Sequence, residues 1–502
     1  MKNYQIMALV VFTLLYTLLF WQEQLGINLL IYSTGLMVYL YAQHKESFKQ
    51  TSVKVTLAGT LLTGIMVIIY NSTISKFAHL TSCWIMVGFV HQHHLKSISH
   101  IISYILLHYL KTPIILLREL KPKSATTSLK FPVFNRLKIT VIPFMLLAVF
   151  YLLFFLANPR FAELSNRIWG NFFSYLGDLL NQISFSRIFF TLAGLIITGG
   201  VVYVSQPLAL KNWLTNQQDT LIRKRKVRKD RVFDPMIALR NEYKSALILI
   251  GLVNLLLLIV NTIDISWIWI NFTISKGMVL KHFVHEGTYL LIASILLSIG
   301  IILYYFRNNL NFFPNNKLLK VLAYIWMTQN IILAISVFLR NYHYINMHGL
   351  AYKRLGVIIF LILTLVGLIS MLIKIRQTKT AFYVIKLNTW ACYMMMALMS
   401  MVNWDLLIAK FNLSHWNKQG IDVAFYLTIS PKTIPYLLQN LPTVEEQLNA
   451  CNRHGSNYTE FHSYQDFYRA LCNKKLAYLN QQKNYSIFSW NLADAQTINA
   501  LK

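Results

Sequence analysis

Long apolar runs, each close to the length of a bilayer crossing, alternate with short polar loops along most of the chain. A helix needs roughly 20 mostly apolar residues to span the hydrocarbon, because no water there satisfies exposed backbone groups. By that rule the pattern predicts eleven spans, near residues 4–20, 25–42, 55–70, 77–93, 139–157, 186–204, 244–261, 286–306, 318–338, 355–373 and 381–402. Trp21 to Gln24 leads straight from the first run into the second with no small-residue cleavage site, so the start reads as a retained hairpin and not a signal peptide. Three more apolar segments carry charge or many rings: 98–117 with His100, His108 and Lys111, 161–183 with Arg167 and Asp178, and 264–281 with Trp267, Trp269 and Lys276. Rings and snorkelling lysines favour the interface, which predicts surface or re-entrant helices.

Charge placement orients the spans. With the N-terminus inside, Lys and Arg favour the inner loops by about three to one, as the positive-inside rule requires. Counting 98–117 as a crossing would move Lys121, Lys123, Lys130 and Arg136 outside, which is why it is read as a surface helix. The run from Arg223 to Arg231 is the densest basic stretch. It reads as a topology anchor, with contact to anionic lipid as the functional alternative.

From Asn403 the character changes. The stretch 403–502 is polar, with Trp404, Leu407, Ile408 and Phe411 at helical spacing. Ser430-Pro431 has the form of a cap followed by a first-turn proline, Thr443 with Glu446 forms a capping box, Ser463 is a further cap, and 490–501 reads as a last short helix. The expected architecture is therefore all-α: a transmembrane domain over 1–402 and a small helical domain over 403–502, which eleven crossings place on the extracytoplasmic side. Cys451 and Cys472 would share that domain and are a candidate disulfide in an oxidising compartment.

Composition fits this picture. Of 502 residues 56% are hydrophobic and only 13% charged, against about 25% in a globular domain. The net charge of +29 belongs to basic loops and lipid headgroups, so lipid and not nucleic acid is the expected partner, alongside an unidentified protein.

Ionisable and amide groups within spans are the default functional suspects. Here they are Asn254, Gln329, Asn330 and Lys386, the last near enough to a span end to snorkel. A second set gathers at the predicted outer ends of neighbouring spans: His282, His285 and Glu286 with Arg340, His343, His348 and Arg354. Such a set can hold a divalent metal, pass protons, bind an anionic headgroup or simply line the interface. No metal-binding spacing, nucleotide loop, nucleophile elbow or cofactor motif accompanies it, so no catalytic residue, metal or cofactor is assigned.

Several short stretches, taken in order, resemble a known family. They are Phe20-Trp21 with Leu25-Gly26-Ile27-Asn28, His285-Glu286-Gly287, Gln329-Asn330 with Arg340, Gly349-Leu350 with Lys353-Arg354, Asn403-Trp404-Asp405 through Ile408-Ala409 to Asn412, and Tyr426-Leu427 with Ser430 and Pro435. Together they are similar to the uncharacterised bacterial integral-membrane family catalogued as domain of unknown function 4173, with its relative 4153. The resemblance implies a multi-pass protein of the bacterial cytoplasmic membrane and supplies no catalytic residues. The functional expectation is a non-enzymatic membrane protein that binds a ligand, lipid or partner in signalling or envelope upkeep. The alternatives are a transporter or permease subunit, and a membrane-embedded transferase or metal-assisted hydrolase.

Overall fold

The computed structural model describes residues 3–119, 147, 151, 160–161, 163–165, 184–204, 217–223, 235–270, 280–307, 309–414, 423–453, 461 and 463–502, with the side chains of 3, 119, 235–238, 280–288, 309 and 451–453 left out. The described elements are helices, plus one isolated bridge between Thr220 and Lys379. In chain order they are α1 Asn3–Phe20, α2 Ile27–Gln43, α3 Thr51–Tyr70, α4 Thr73–His91, α5 Ile98–Glu119, α6 Phe185–Val202, α7 Pro235–Asp264, α8 Leu280–Tyr305, α9 Lys317–His348, α10 Tyr352–Arg376 and α11 Ala381–Ser400. The tail follows as α12 Trp404–Ser414, α13 Phe425–Thr428, α14 Ile434–Gln439, α15 Leu441–Arg453, α16 Tyr464–Lys483 and α17 Leu492–Leu501.

Seven helices among the described residues are long and apolar enough to cross a membrane, or eight if α11 and α12, bent by 68°, form one broken span. Asn403 causes that break: its Oδ1 accepts from the amide of Leu406 at 3.2 Å and so starts a new helix. The expected eleven is thus met in part. The predicted span at 139–157 and the surface segment at 161–183 fall almost wholly outside the described residues. Two expectations change. Residues 98–118 form one helix that passes the length and hydropathy test for a crossing. Two of its polar groups are taken up by protein: the His100 ring stacks on Phe382 at 4.7 Å, and His108 Nε2 lies 2.8 Å from the Gly200 carbonyl. Residues 265–270 do not form a separate surface helix but continue α7 as a π-helical turn.

The chain divides into two compact units, 1–21 with 107–205 and 22–106 with 206–502. In the first, α1 packs on α6. Tyr16 stacks on Phe190 at 4.8 Å, and a Cβ at Gly194 would lie 2.3 Å from the Tyr16 ring. Gly200 faces Tyr109 as closely, so glycines are needed there for helices to approach. Gly251, by contrast, has open space around it.

In the second unit α7 and α9 run parallel. Asn254 Nδ2 donates to the Leu322 carbonyl at 3.0 Å and Asn261 Nδ2 to that of Gln329 at 3.1 Å, while Trp269 Nε1 reaches Ser336 Oγ at 3.0 Å. The seven-residue step on α9, matched between the asparagines of α7, is the repeat that keeps two helices in one seam. The chain between them returns as α8, whose Tyr305 hydroxyl lies 3.2 Å from Ser245 near the start of α7. Trp326, Met327, Leu333, Leu368 and Met371 fill the core between these helices and α10.

The two ends of this helix set differ. At one, the segment 218–221 pairs with 378–380: Leu221 N donates to Thr378 O, Thr380 N to Asp219 O, and Lys386 meets Asp219 at 2.5 Å. We call this the basic end, since Lys379 lies on these segments, Arg223 follows the first, and Lys374 and Arg376 are in the last turn of α10. Lys386 thus has a carboxylate partner there. Lys374, fully buried, donates to the Phe306 carbonyl at 2.5 Å.

The opposite end carries the tail. Its helices enclose a core of Val423, Tyr426, Ile434, Leu437, Phe467 and Leu471. Ser430 and Ser463 cap as their spacing predicts, accepting from Lys432 N and Gln465 N, and Asn491 starts α17. The capping box at Thr443 does not form: α15 begins at Leu441, where Pro442 occupies a first-turn position that needs no amide hydrogen. Ile27 N donates to Trp490 O at 3.0 Å, and a Cβ at Gly26 would sit 2.4 Å from the Ser489 carbonyl oxygen. That neighbour is backbone and cannot turn aside. Gly26→Ala is therefore expected to loosen the tail by about 1–3 kcal/mol, as over-packing does, read as faster amide exchange over 486–494 with helix content unchanged.

Candidate functional site

Two assemblies of polar side chains stand out, one between membrane-length helices and one where the tail meets them. The first lies along the α7–α9 seam. Asn254, Asn261, Asp264, Gln329, Asn330 and Arg340 are all buried. Asp264 and Arg340 form an ion pair at 2.5 Å, with both side chains almost wholly out of solvent. A buried charge survives only if paired, and breaking such a pair is costly. The amides bridge or brace helices: Asn254 also bonds Ile250 O, and Asn330 Nδ2 holds Trp326 O at 2.8 Å. The π-helical turn begins one residue after Asp264 and offers the Ile268 carbonyl to His343 Nε2 at 3.3 Å.

The predicted outer cluster is therefore divided. Arg340 and His343 belong to the seam. Arg354 belongs to the α9–α10 turn, where it donates to the carbonyls of His348 and Gly349 and lies 4.5 Å above the Tyr344 ring. His348 packs its ring on Tyr344 at 4.6 Å. His282, His285 and Glu286 stand on the first turns of α8, and their side chains lie outside the described residues. Asp264 was missed because it was read as part of a surface segment. Its spacing of three from Asn261 is the signal that places both on one helical face. Among the described residues no group of three His, Cys, Asp or Glu side chains is placed to hold a metal ion.

The second assembly is the latch between tail and helices. Gly349 has φ +79°, a conformation that favours glycine, and a Cβ there would lie 2.6 Å from Asn412 Oδ1. Asn412 uses both ends of its amide on one residue: Oδ1 accepts from Leu350 N at 2.6 Å, and Nδ2 donates to Leu350 O at 3.0 Å. Tyr352 donates to Asp405 at 2.5 Å, and the same carboxylate accepts from Ser430 N. A third contact joins Lys432 to the end of α3, where its amine donates to the carbonyls of Tyr70 and Asn71. Asp494 lies 3.5 Å from Lys432 and also accepts from Asn71, Asn491 and Tyr478. Burial pushes the Lys432 amine below its ordinary range, and the Asp494 carboxylate works against that shift. Burial, helped by the same carboxylate, raises the Tyr478 phenol. Burial also pushes Lys474, which donates to Leu427 O and Ile429 O, down to about 8. Cys472 is a free thiol, while the Cys451 side chain lies outside the described residues.

His79 is a third buried polar residue. Its Nδ1 faces the Thr60 carbonyl at 3.0 Å, which makes Nδ1 the donor and leaves Nε2 to accept from Ser33 Oγ at 3.1 Å. This network braces α2, α3 and α4 against one another.

The motifs that gave the family resemblance meet in these contacts. Gly26 abuts the tail backbone, Gly349-Leu350 receives Asn412, and Asp405 joins Tyr352 to Ser430. No curated protein and no solved structure matches the chain. The family model described as domain of unknown function (DUF4153) matches residues 6–440. It is thus the relative, 4153, that matches. With that match running from the first helix through the latch, this chain belongs to the DUF4153 family.

Proposed function

We propose that the protein is a multi-pass component of the bacterial cytoplasmic membrane whose C-terminal helical domain is held outside as a fixed recognition platform, acting by binding and not by catalysis. The observation that carries this reading is the Asn412–Leu350 amide pair. It commits two family motifs to holding the tail on the helices, which gives a binding surface its rigidity. Tail contacts fall on the loops at 23–27, 70–71 and 349–352, and the 218–221 segment pairs with 378–380 at the other end of α10 and α11. The positive-inside rule assigns the basic end to the cytoplasm, which puts the tail on the extracytoplasmic side. A transport role is the second reading, favoured by the buried ion pair and amides of the α7–α9 seam.

The orientation is testable by labelling with a membrane-impermeant maleimide after removal of the four native cysteines. Ile487→Cys, at an 80% exposed position on the tail, is expected to react in intact cells with a permeabilised outer membrane. Gln377→Cys, exposed at the basic end, is expected to react only after the inner membrane is opened. Labelling of both from one side would sink the reading. Asn412→Ala is expected to free the tail by about 1–3 kcal/mol, because Leu350 loses both partners in a buried place. Limited proteolysis would report this as early cleavage within the tail, after α11, while Asn473→Ala, on an exposed position, leaves the pattern unchanged.

A further inference from the structure

α11 and α12 pass the length and hydropathy test for a crossing together, as a pair bent by 68°. α11 alone has 20 residues, about 30 Å of helix, which matches the hydrocarbon core. Its outward side chains stay apolar to the end: Met394, Leu398 and Met401, spaced by four and three, are all exposed. A crossing by α11 therefore leaves the start of α12 at the border between acyl chains and headgroups. The 11 residues of α12 make about 16 Å of helix, and the 68° bend leaves only about 6 Å of that along the axis of α11. The headgroup layer on one side of a bilayer is itself roughly 5–8 Å thick. With α11 upright, α12 stays within that layer for its whole length.

The sides of α12 differ. One is turned into the protein: Ile408 joins Ile345 and Leu350, Ala409 and Leu413 enter the tail core, and Asn412 holds Leu350. The other carries Leu407, Lys410 and Ser414, all exposed, with Trp404 and Phe411 half-buried beside them. At about 100° per residue these five fall on one arc, roughly a third of the helix. A largely apolar arc with a lysine at its edge suits a helix lying in the interface, where rings and leucine enter the acyl border and the ammonium snorkels to phosphate. The end of α11 gives an independent sign. A helix end in water can leave its last carbonyls to solvent. Here Ser400 Oγ donates to the Ala397 carbonyl at 2.6 Å, Met401 N to that of Leu398 at 3.0 Å and Trp404 Nε1 to that of Met399 at 2.8 Å. Each is met from within the chain, as a water-poor place requires. Trp404 thereby commits its one side-chain donor to the protein and keeps an apolar ring.

We infer that α12 lies in the headgroup layer of the bilayer and that its outward arc, Trp404, Leu407 and Phe411 with Lys410 at the edge, binds phospholipid. Lipid then meets one side of the helix whose other side holds the Asn412–Leu350 pair. The inference holds whichever side of the membrane bears the tail. Full-length protein in phospholipid nanodiscs, where both faces of the bilayer are open to solvent, tests it by spin labelling after removal of the four native cysteines. Single labels are placed at Leu407→Cys, at Leu398→Cys on α11 and at Asn473→Cys, an exposed polar position of the tail. They are compared for collision with dissolved oxygen, which concentrates in lipid, and with a neutral nickel chelate, which stays in water. The Leu407 label is expected to behave like that at Leu398, with nickel collisions several-fold below those at Asn473 and oxygen collisions above them. Nickel access at Leu407 equal to that at Asn473 would put the arc in water, open to a protein partner, and overturn the inference. Exclusion of both reagents would mean that protein covers the arc, a second copy included, and would overturn it equally. Should Leu407→Cys not fold, Lys410→Cys, exposed on the same arc, carries the same comparison.

Discussion

Helix ends are the constraint on which this structure turns. A helix satisfies its own backbone except at its termini, where amides and carbonyls are left over. Near lipid they must find partners within the protein. At the tail end those partners come from far along the chain. Lys432 supplies protons to the last carbonyls of α3, Trp490 supplies a carbonyl to the first amide of α2, and Asn412 meets both groups of Leu350 between α9 and α10. Arg354 does the same locally for the end of α9, where a cation also suits the helix dipole. The tail is thus a shared cap for several helices, and its own core of Tyr426, Phe467 and Leu471 holds the capping groups at fixed spacing.

The α7–α9 seam follows another logic. Amide bridges two turns apart on both helices set one register, because a slip by one residue would carry Asn261 away from Gln329 and Asn254 away from Leu322 together. Apolar packing alone tolerates sliding; directional bonds do not. The ion pair between Asp264 and Arg340 adds a further lock in the same seam. Buried polar groups of this type specify one arrangement even where they add little net stability.

Much of this was legible in the residues. Hydropathy located α3, α4, α6, α7, α9 and α10, capping chemistry located Ser430 and Ser463, and the final helix was read without its Asn491 cap. The helix at 98–118 passes the length and hydropathy test for a crossing, whereas the Lys and Arg of the loop after it favoured a surface helix; Phe382 and the Gly200 carbonyl meet its His100 and His108, which no local pattern announces. Asn254, Gln329, Asn330 and Arg340 were visible as suspects because polarity inside an apolar run is conspicuous. Asp264 was not, since a π-helical extension has no periodic signature that separates it from an interfacial segment. The pairing of Asn412 with Leu350, 62 residues away, lies beyond any local pattern. A motif can show that a position matters before it shows what it touches.

The contact between the first loop and the end of the chain bears on how the protein is made. Gln24 takes its partner from Ser489, 465 positions later. Ribosomes add about 5–20 residues per second, so the opening hairpin waits roughly 25 to 90 s for the group that completes it. Throughout that interval the loop must be tolerated half-finished by the insertion machinery, and a chain cut short anywhere before Ser489 leaves it so. The opening loop is thereby completed by a residue that is synthesised 465 positions after it.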